Sequence, residues 1–281
     1  MTAITRDPKR ARQTAPMSDR FGPGDIRAGH PTTRNLSAAP DVPDVPTPPL
    51  SATFPRLAEQ ATDSVGYGPD VAGEAQLRLL GSVDSRRILV LGVGGGAELV
   101  TLARQGARVI GVDPVLARVE AARAAAEEAE VKVELHQSDL AELPFVRADS
   151  LDAALSVFAL AGVDDVDRVF RQVHRVLHPE CHLVLSVPHP AYAMLDPDGD
   201  EPTVVRSYFD RTARSWSIGD KRGDEHPRTI GDLFTSLTRA NFRVDTLLEP
   251  EPAGGHVSAH WTEAMRWAPA TLILRGRKEG T

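Results

Sequence analysis

The feature that most narrows the fold is a glycine-rich turn set directly between an apolar run and a helical pattern. Ile88-Leu-Val-Leu91 is followed at once by Gly92-Val-Gly-Gly-Gly96, and Ala97 to Arg104 reads as a helix that Gly106 is placed to end. A short run of large aliphatic residues fits a strand buried on both faces of a parallel sheet. Glycine has no Cβ, so the backbone can turn sharply there and approach a ligand closely. This unit constrains the chain to an α/β architecture with a crevice at the carboxyl end of the strand.

The alternation repeats downstream. Val109–Val112 predicts a second strand ending at Asp113-Pro114, and Val115 to Glu128 an alanine-rich helix. Val131–Leu135, Leu151–Ser156 and His182–Val187 predict the third, fourth and fifth strands. Between the last two, Val166, Val169, Phe170, Val173, Val176 and Leu177 fall on one face of an amphipathic helix. Ile230 to Ala240 predicts a further helix, followed by strands over Phe242–Leu248 and Thr271–Arg275. No clear crossover helix separates those two strands, so an antiparallel pair is expected at the sheet edge. Strands joined by helices require right-handed crossovers and a parallel sheet. The predicted class is α/β: a Rossmann-like, seven-stranded, mostly parallel sheet with an antiparallel last strand and helices on both faces.

Composition changes at both ends of this pattern. Residues 1–50 are rich in Pro, Thr, Ser, Asp and Arg and end in Pro40-Asp-Val-Pro-Asp-Val-Pro-Thr-Pro-Pro49, which predicts a disordered, proline-rich tail. Leu57, Ala61, Val65, Val71, Ala75, Leu77, Leu79 and Leu80 predict short helices before the main domain. Residues 51–281 are expected to form one domain. Its stretch 188–227 breaks the rhythm with prolines, glycines and charges and is expected to cap a substrate, with Trp216 and the Trp261–Trp267 loop as walls.

Several function classes are disfavoured by simple counts. A formal net charge of −7 speaks against nucleic-acid binding as the main activity. A single cysteine, Cys181, excludes an intramolecular disulfide and a thiolate zinc cluster and fits a reducing cytoplasm. No apolar run approaches the roughly 18 residues of a membrane span. Arg6, Lys9, Arg10 and Arg12 are followed by no apolar stretch of the kind a secretory signal carries. His174, His178 and His182 read as surface histidines, with no partner spaced to complete a metal site. A small-molecule substrate is therefore expected, with no metal and no membrane; the sequence carries no signal for an oligomeric state.

Three features converge on a nucleoside cofactor. Gly92, Gly94 and Gly96 form the turn. Asp113 ends the next strand 21 positions after Gly92, where a carboxylate can accept hydrogen bonds from both ribose hydroxyls. Asp139, in Gln137-Ser-Asp-Leu140, follows the third strand and is placed to meet an adenine amino group. Each has a plainer reading: a glycine turn can be only a turn, and Asp113 can be a helix cap before Pro114. Gly92-x-Gly94-x-x-Ala97 also satisfies the dinucleotide fingerprint, so the loop does not separate NAD from S-adenosylmethionine (SAM).

Taken together, residues 88–187 resemble class I SAM-dependent methyltransferases, in particular the methyltransferase type 11 group related to quinone-biosynthesis methyltransferases. The resemblance is carried by Ile88–Gly96, Val109-Ile-Gly-Val-Asp-Pro114, Ser138-Asp-Leu-Ala-Glu-Leu-Pro-Phe145, Ser150-Leu-Asp-Ala-Ala-Leu-Ser156 and Arg175-Val-Leu-His-Pro179. Flanking pieces resemble an actinobacterial-type subgroup: Tyr67-Gly-Pro69, Ser186-Val-Pro-His-Pro190, Val204-Val-Arg-Ser-Tyr-Phe-Asp210 and His226-Pro-Arg-Thr-Ile-Gly-Asp232. The resemblance implies that Gly92–Gly96 hold the methionine end of SAM, that Asp113 binds the ribose and that Asp139 and Leu140 flank the adenine. Ser156 to Phe158 would face the sulfonium and substrate. The sequence departs from the family at Leu91, where an acid is frequent, and at Pro179-Glu-Cys181, where a Pro-Gly-Gly turn is usual.

The implied function is methyl transfer to an O, N or C nucleophile of a small molecule. The rival readings are an NAD(P)-dependent oxidoreductase and a SAM-binding regulatory module without activity. A dehydrogenase is disfavoured because no separate catalytic domain follows the nucleotide half and no Tyr-x-x-x-Lys pair is evident. His189, directly after the fifth strand, is the candidate general base, and a packed histidine beneath the insertion is its alternative. Tyr67, Tyr192 and Tyr208 are candidate substrate contacts, with Asp210 beside the last; ordinary lid packing is the alternative for Tyr192, Tyr208 and Asp210.

Overall fold

A computed structural model describes residues 51, 53–54, 63–197, 199–252 and 260–280, together with the backbone of Leu36–Ser37. The expectations for the proline-rich tail, apart from that pair, and for Leu57 and Ala61 lie outside the described residues.

In chain order the elements are β1 (Leu36–Ser37), α1 (Glu74–Leu77), β2 (Arg87–Leu91), α2 (Ala97–Arg104) and β3 (Arg108–Asp113). Then come α3 (Leu116–Glu128), β4 (Val133–Gln137), β5 (Leu151–Val157), α4 (Val166–Val176) and β6 (Leu177–Pro188). The rest are β7 (Arg214–Ile218), β8 (Lys221–Glu225), α5 (Ile230–Arg239), β9 (Phe242–Leu248) and β10 (Thr271–Lys278).

Seven strands form the main sheet in the order β4-β3-β2-β5-β6-β10-β9. The pairs from β4 to β6 are parallel, and β10 runs antiparallel to both β6 and β9. The antiparallel pair therefore ends the sheet, but β10 lies inside it and β9 forms the edge. Strand order reverses between β2 and β5, and at such a switch point the connecting segments diverge and leave a crevice beyond the carboxyl ends.

The apolar runs explain these strands. Ile88, Leu89, Val90 and Leu91 are each at most 1% exposed, because both sheet faces are covered. One core layer packs α4 and α5 (Val166, Val169, Phe170, Val173, Leu233, Leu237) on one face; the other holds Leu99, Leu102, Ala122 and Tyr67. Gly111 in β3 allows this closeness, since a Cβ there would lie 2.7 Å from Leu99 and 2.8 Å from Leu135 and Val93. Helix α5 starts on a reciprocal cap: Thr229 accepts from the Asp232 amide at 3.0 Å, and Asp232 accepts from the Thr229 amide at 2.9 Å.

Three sequence expectations shift. The fifth strand, expected from His182, already starts at Leu177, which the sequence pattern had placed on the preceding helix. The third strand was expected to start at Val131 but starts at Val133. Glu130 takes a left-handed φ of 56° and the Val131 amide still bonds to Ala126, so the helix end consumes those residues. The 188–227 stretch also holds more regular structure than its composition suggested. A single turn at Tyr192–Met194 is followed by the antiparallel hairpin β7–β8, in which Ile218 pairs with Lys221 across a Gly219-Asp220 loop. Gly219 adopts φ 60°, which glycine tolerates without strain. β1 adds a parallel strand to β7 through Leu36 and Ser37.

Candidate functional site

The glycine turn is built as its composition requires. Gly92, Gly94 and Gly96 have φ of 79°, 50° and 94°, all left-handed, where any Cβ is strained. The Gly92 amide bonds to Val112 O at 2.8 Å and the Gly96 amide to Val93 O at 2.8 Å, so the turn is pinned at both ends. A Cβ on Gly96 would also meet Ala122 Cα at 2.8 Å, which ties this glycine to the approach of α3.

Asp113 reaches into that turn from the end of β3. Its Oδ2 accepts the Val93 amide at 3.0 Å and its Oδ1 the Val115 amide at 2.9 Å. Arg118 Nη1 lies 3.2 Å from Oδ1, and the carboxylate is fully buried. Burial pushes its pKa up, while Arg118 and the two amides work against that rise. The acid thus braces the loop and carries a guanidinium across its other side.

The neighbouring strand ends complete the row. The Ser138 amide bonds to Asp113 O at 3.1 Å, and Asp139 stands two residues beyond the end of β4. Asp139 is exposed and its Oδ1 accepts the Ala141 amide at 2.7 Å; Leu140 is 4% exposed. On the other side of β2, Ser156 Oγ donates to Leu91 O at 3.2 Å. Phe158 closes β5 with a left-handed φ of 58°, buried against Phe54 at a centroid distance of 5.3 Å. All eight cofactor candidates therefore sit at the carboxyl ends of four adjacent strands.

One acid at the loop escaped sequence reasoning. Glu98 stands in the first turn of α2, directly after the glycines, and is only 9% exposed. No side-chain hydrogen bond or ion pair joins it among the described residues. Burial raises its pKa to about 7, with its own backbone amide opposing the rise. Its signal was available, because an acid at a helix N-terminus beside a candidate cation site is a charge question.

His189 and two of the tyrosines are engaged in packing. His189 is 2% exposed; Nδ1 accepts the Ala191 amide at 3.0 Å and Nε2 lies 2.8 Å from Glu249 Oε1. With Nδ1 accepting, the proton resides on Nε2 and is donated to Glu249, so neither nitrogen is turned toward an incoming proton. Tyr67 is fully buried and its hydroxyl donates to Glu74, which also accepts the amides of Leu79, Leu80 and Gly81. Tyr192 packs against Phe54 at 5.9 Å, and its hydroxyl lies 3.1 Å from Thr262 Oγ1. Trp216 is buried in its hairpin, over Gly223, where a Cβ would come within 2.5 Å of the indole. Trp267 is 65% exposed.

Tyr208 differs, because it lines a cleft. This cleft encloses about 680 Å³, solvent at its mouth included, beyond the carboxyl ends of β5 and β6. Its lining combines the apolar Leu160, Val187, Pro190, Met194 and Leu233 with Arg206, Tyr208, Arg214 and His226. The Ile230 amide donates to the Tyr208 hydroxyl at 3.3 Å. His226 Nδ1 lies 3.4 Å from Asp164 Oδ1, and its amide bonds to Ala161 O at 2.8 Å. The arginines and His226 were not singled out from sequence, because their convergence depends on how β7–β8 folds back over the turn at Ala159–Gly162. Among the described residues no helix is long and apolar enough to cross a membrane.

Similarity to known proteins follows the same geometry. Residues 89–185 match the family model of a methyltransferase domain. A ubiquinone biosynthesis O-methyltransferase of Alkalilimnicola ehrlichii is 35% identical over 107 residues, 38% of this chain and 43% of that protein. One of the same description from Azorhizobium caulinodans is 32% identical over 109 residues, 39% of this chain and 43% of that one. The chain thus matches less than half the length of these relatives. A SAM-dependent methyltransferase structure from Mesorhizobium loti aligns at 29% identity and TM-score 0.61, covering 73% of this chain and 96% of that one. The fold is also that of a geranyl diphosphate C-methyltransferase from Streptomyces coelicolor, at 14% identity and TM-score 0.54, covering 73% and 78% of the two chains. Residues 89–185, at the centre of the sheet, thus carry a methyltransferase domain, and the chain is similar in sequence and fold to SAM-dependent methyltransferases.

Proposed function

We propose that this protein transfers a methyl group from SAM to a nucleophile of a small molecule held in the cleft beneath residues 188–227. The observation that carries the reading is the row of four strand ends: a left-handed glycine turn, an acid hydrogen-bonded into it and a second acid one strand further on. When bound, SAM supplies a methyl group on positively charged sulfur, ready for in-line displacement.

The chain's own residues then bind, orient and exclude water. Gly92 and Gly94 give the methionine end an approach to the backbone that any side chain would obstruct. Asp113 receives the ribose hydroxyls; Arg118 is the group that must give way, since it now lies on the same carboxylate. Asp139 and Leu140 flank the adenine, one by hydrogen bonding and one by apolar contact. Phe158 and Ser156 separate this floor from the cleft, where Leu160 and Val187 hold the acceptor in line and keep water from the sulfur. His189 keeps the cap seated through Ala191 and Glu249, and the reaction draws on alignment more than on that ring.

Calorimetric titration with SAM, S-adenosylhomocysteine (SAH) and NAD tests the reading. Stoichiometric binding of the first two and none of NAD is expected. NAD binding without SAM binding would replace methyl transfer with hydride transfer. SAM binding with no turnover across a metabolite screen would leave a binding module.

A further inference from the structure

The cleft's charges are unevenly committed. Arg206 holds Asp210 Oδ2 at 3.0 Å and donates to Thr212 O at 2.8 Å. Arg211 holds Asp232 with two parallel bonds of 2.8 Å. Arg228 spends its donors on the carbonyls of Val163, Asp164 and His226. Arg214 is different. Its nearest acid is Glu225 Oε2 at 3.7 Å, beyond hydrogen-bond reach, and none of its five N–H groups makes a hydrogen bond among the described residues. Its side chain is nevertheless only 24% exposed.

Glu225 is not waiting to complete that pair. Its Oε1 accepts Ser51 Oγ at 2.6 Å and the Thr53 amide at 3.3 Å, and its Oε2 accepts Thr53 Oγ1 at 3.1 Å. Arg206 with Asp210 and Arg211 with Asp232 cancel in charge. Arg228 has Asp164 and Asp167 beside it, and Arg214 has only the already engaged Glu225. A part-buried guanidinium with unspent N–H groups is placed to take acceptors from a ligand.

We infer that the methyl acceptor is a carboxylate on an apolar body, and that Arg214 is the side chain that selects it. The inference rests on the methyl-transfer reading above and narrows its substrate class. The planar fork of Arg214 matches a carboxylate in two parallel hydrogen bonds. With Arg206, Arg211 and Arg228 committed elsewhere, only the fork of Arg214 has its hydrogen bonds unspent, which suits the two oxygens of a carboxylate better than the three of a phosphate. The apolar part of the same lining, Leu160, Val187, Pro190, Met194 and Leu233, suits a hydrocarbon body.

Calorimetry on the full chain saturated with SAH tests this, with 1-naphthoate, neutral 1-naphthamide and 1-naphthyl phosphate as probes. Naphthoate is expected to bind at least about tenfold more tightly than naphthamide, and more tightly than the phosphate. Arg214→Gln should bring naphthoate down to the naphthamide level, Arg214→Lys should retain part of the preference, and Arg168→Gln, on the exposed face of α4 away from the cleft, should leave it unchanged. Equal binding of naphthoate and naphthamide, tighter binding of the phosphate, no binding of any probe, or an undiminished preference in Arg214→Gln would overturn the inference. Should Arg214→Gln not fold, Arg214→Lys and the wild-type probe series decide it. SAH titrated alone separates the two readings: SAH binding without a carboxylate preference sinks only this inference. A carboxylate preference without SAH binding sinks the methyl-transfer reading instead.

Discussion

The two walls of the molecule's working end are built on different principles. On the cofactor side, from Gly92 to Phe158, polar groups are locked by backbone: Asp113 takes two amides, Asp139 one and Ser156 a carbonyl. On the cap side, from His189 to Arg228, charges are held mainly by other side chains and by carbonyls of distant segments. Val204, Val205 and Phe209 are 62%, 52% and 71% exposed there, whereas no large apolar side chain between Leu151 and Leu177 is. Backbone-locked groups tolerate little change and suit a ligand that never varies. A surface of side-chain pairs can be re-specified by substitution, and suits the ligand that differs between relatives. The matched methyltransferase domain ends at residue 185, just before the stretch 188–227 proposed as the cap.

Substitutions can break this contrast, and the largest effect is expected at the turn. Gly94→Val places a β-branched side chain at φ 50° and should reduce SAM affinity more than about hundredfold in titration calorimetry, with strain of roughly 1–3 kcal/mol. Normal SAM binding by that variant would remove the loop from the site.

Glu98 comes next and works through pH. Its folded pKa of about 7 lies above its ordinary value of 4.5, so the fold disfavours the ionised form. The cost is absent below pH 4.5, grows between 4.5 and 7 and is complete above 7. Glu98→Gln should therefore stabilise the protein by up to about 3 kcal/mol at pH 8 and hardly at all at pH 4.5 in thermal melts. An equal gain at both values would show that the carboxylate is not buried as described.

Asp113→Ala should weaken SAM binding by about 1–3 kcal/mol, the cost of unmade hydrogen bonds, and loosen the turn through Val93. Unchanged affinity in a folded variant would reduce Asp113 to a loop brace. His189 should sharpen the comparison from the cap side. Burial lowers its pKa, with Glu249 opposing, so its stabilising contribution is present above the ordinary histidine value and is lost as pH falls below it. His189→Gln should flatten that part of the stability profile while leaving the pH dependence of kcat in place; a lost kcat limb would restore His189 as the base. The smallest effect belongs to Arg211→Ala, whose exposed pair with Asp232 should contribute under about 1 kcal/mol in chemical denaturation.

How much was legible in the sequence follows the same division. Strands buried on both faces announce themselves as apolar runs, so β2, β3, β5 and β6 could be read directly. The positions of Asp113 and Asp139 were legible because each stands at or just past a strand end. The hairpin β7–β8 was missed because Arg214-Ser-Trp-Ser-Ile218 offers only two apolar residues, although Gly219-Asp220 was a usable turn signal. His189 was located correctly as a strand-end residue, yet its partner Glu249 lies sixty positions away and no local pattern records that bond. Arg214 was invisible for a related reason: what marks it is the preoccupation of Glu225 with Ser51 and Thr53, more than 170 residues upstream.

The account's central claim is that the turn and its two acids cradle an adenosine-bearing sulfur facing the cleft. A crystal structure with SAH tests it most directly. The prediction is density for the methionine end over Gly92–Gly96, ribose hydroxyls on Asp113 with Arg118 moved aside, adenine between Asp139 and Leu140, and sulfur toward Phe158. Ribose bound away from Asp113, or a turn left empty at saturating SAH, would contradict it.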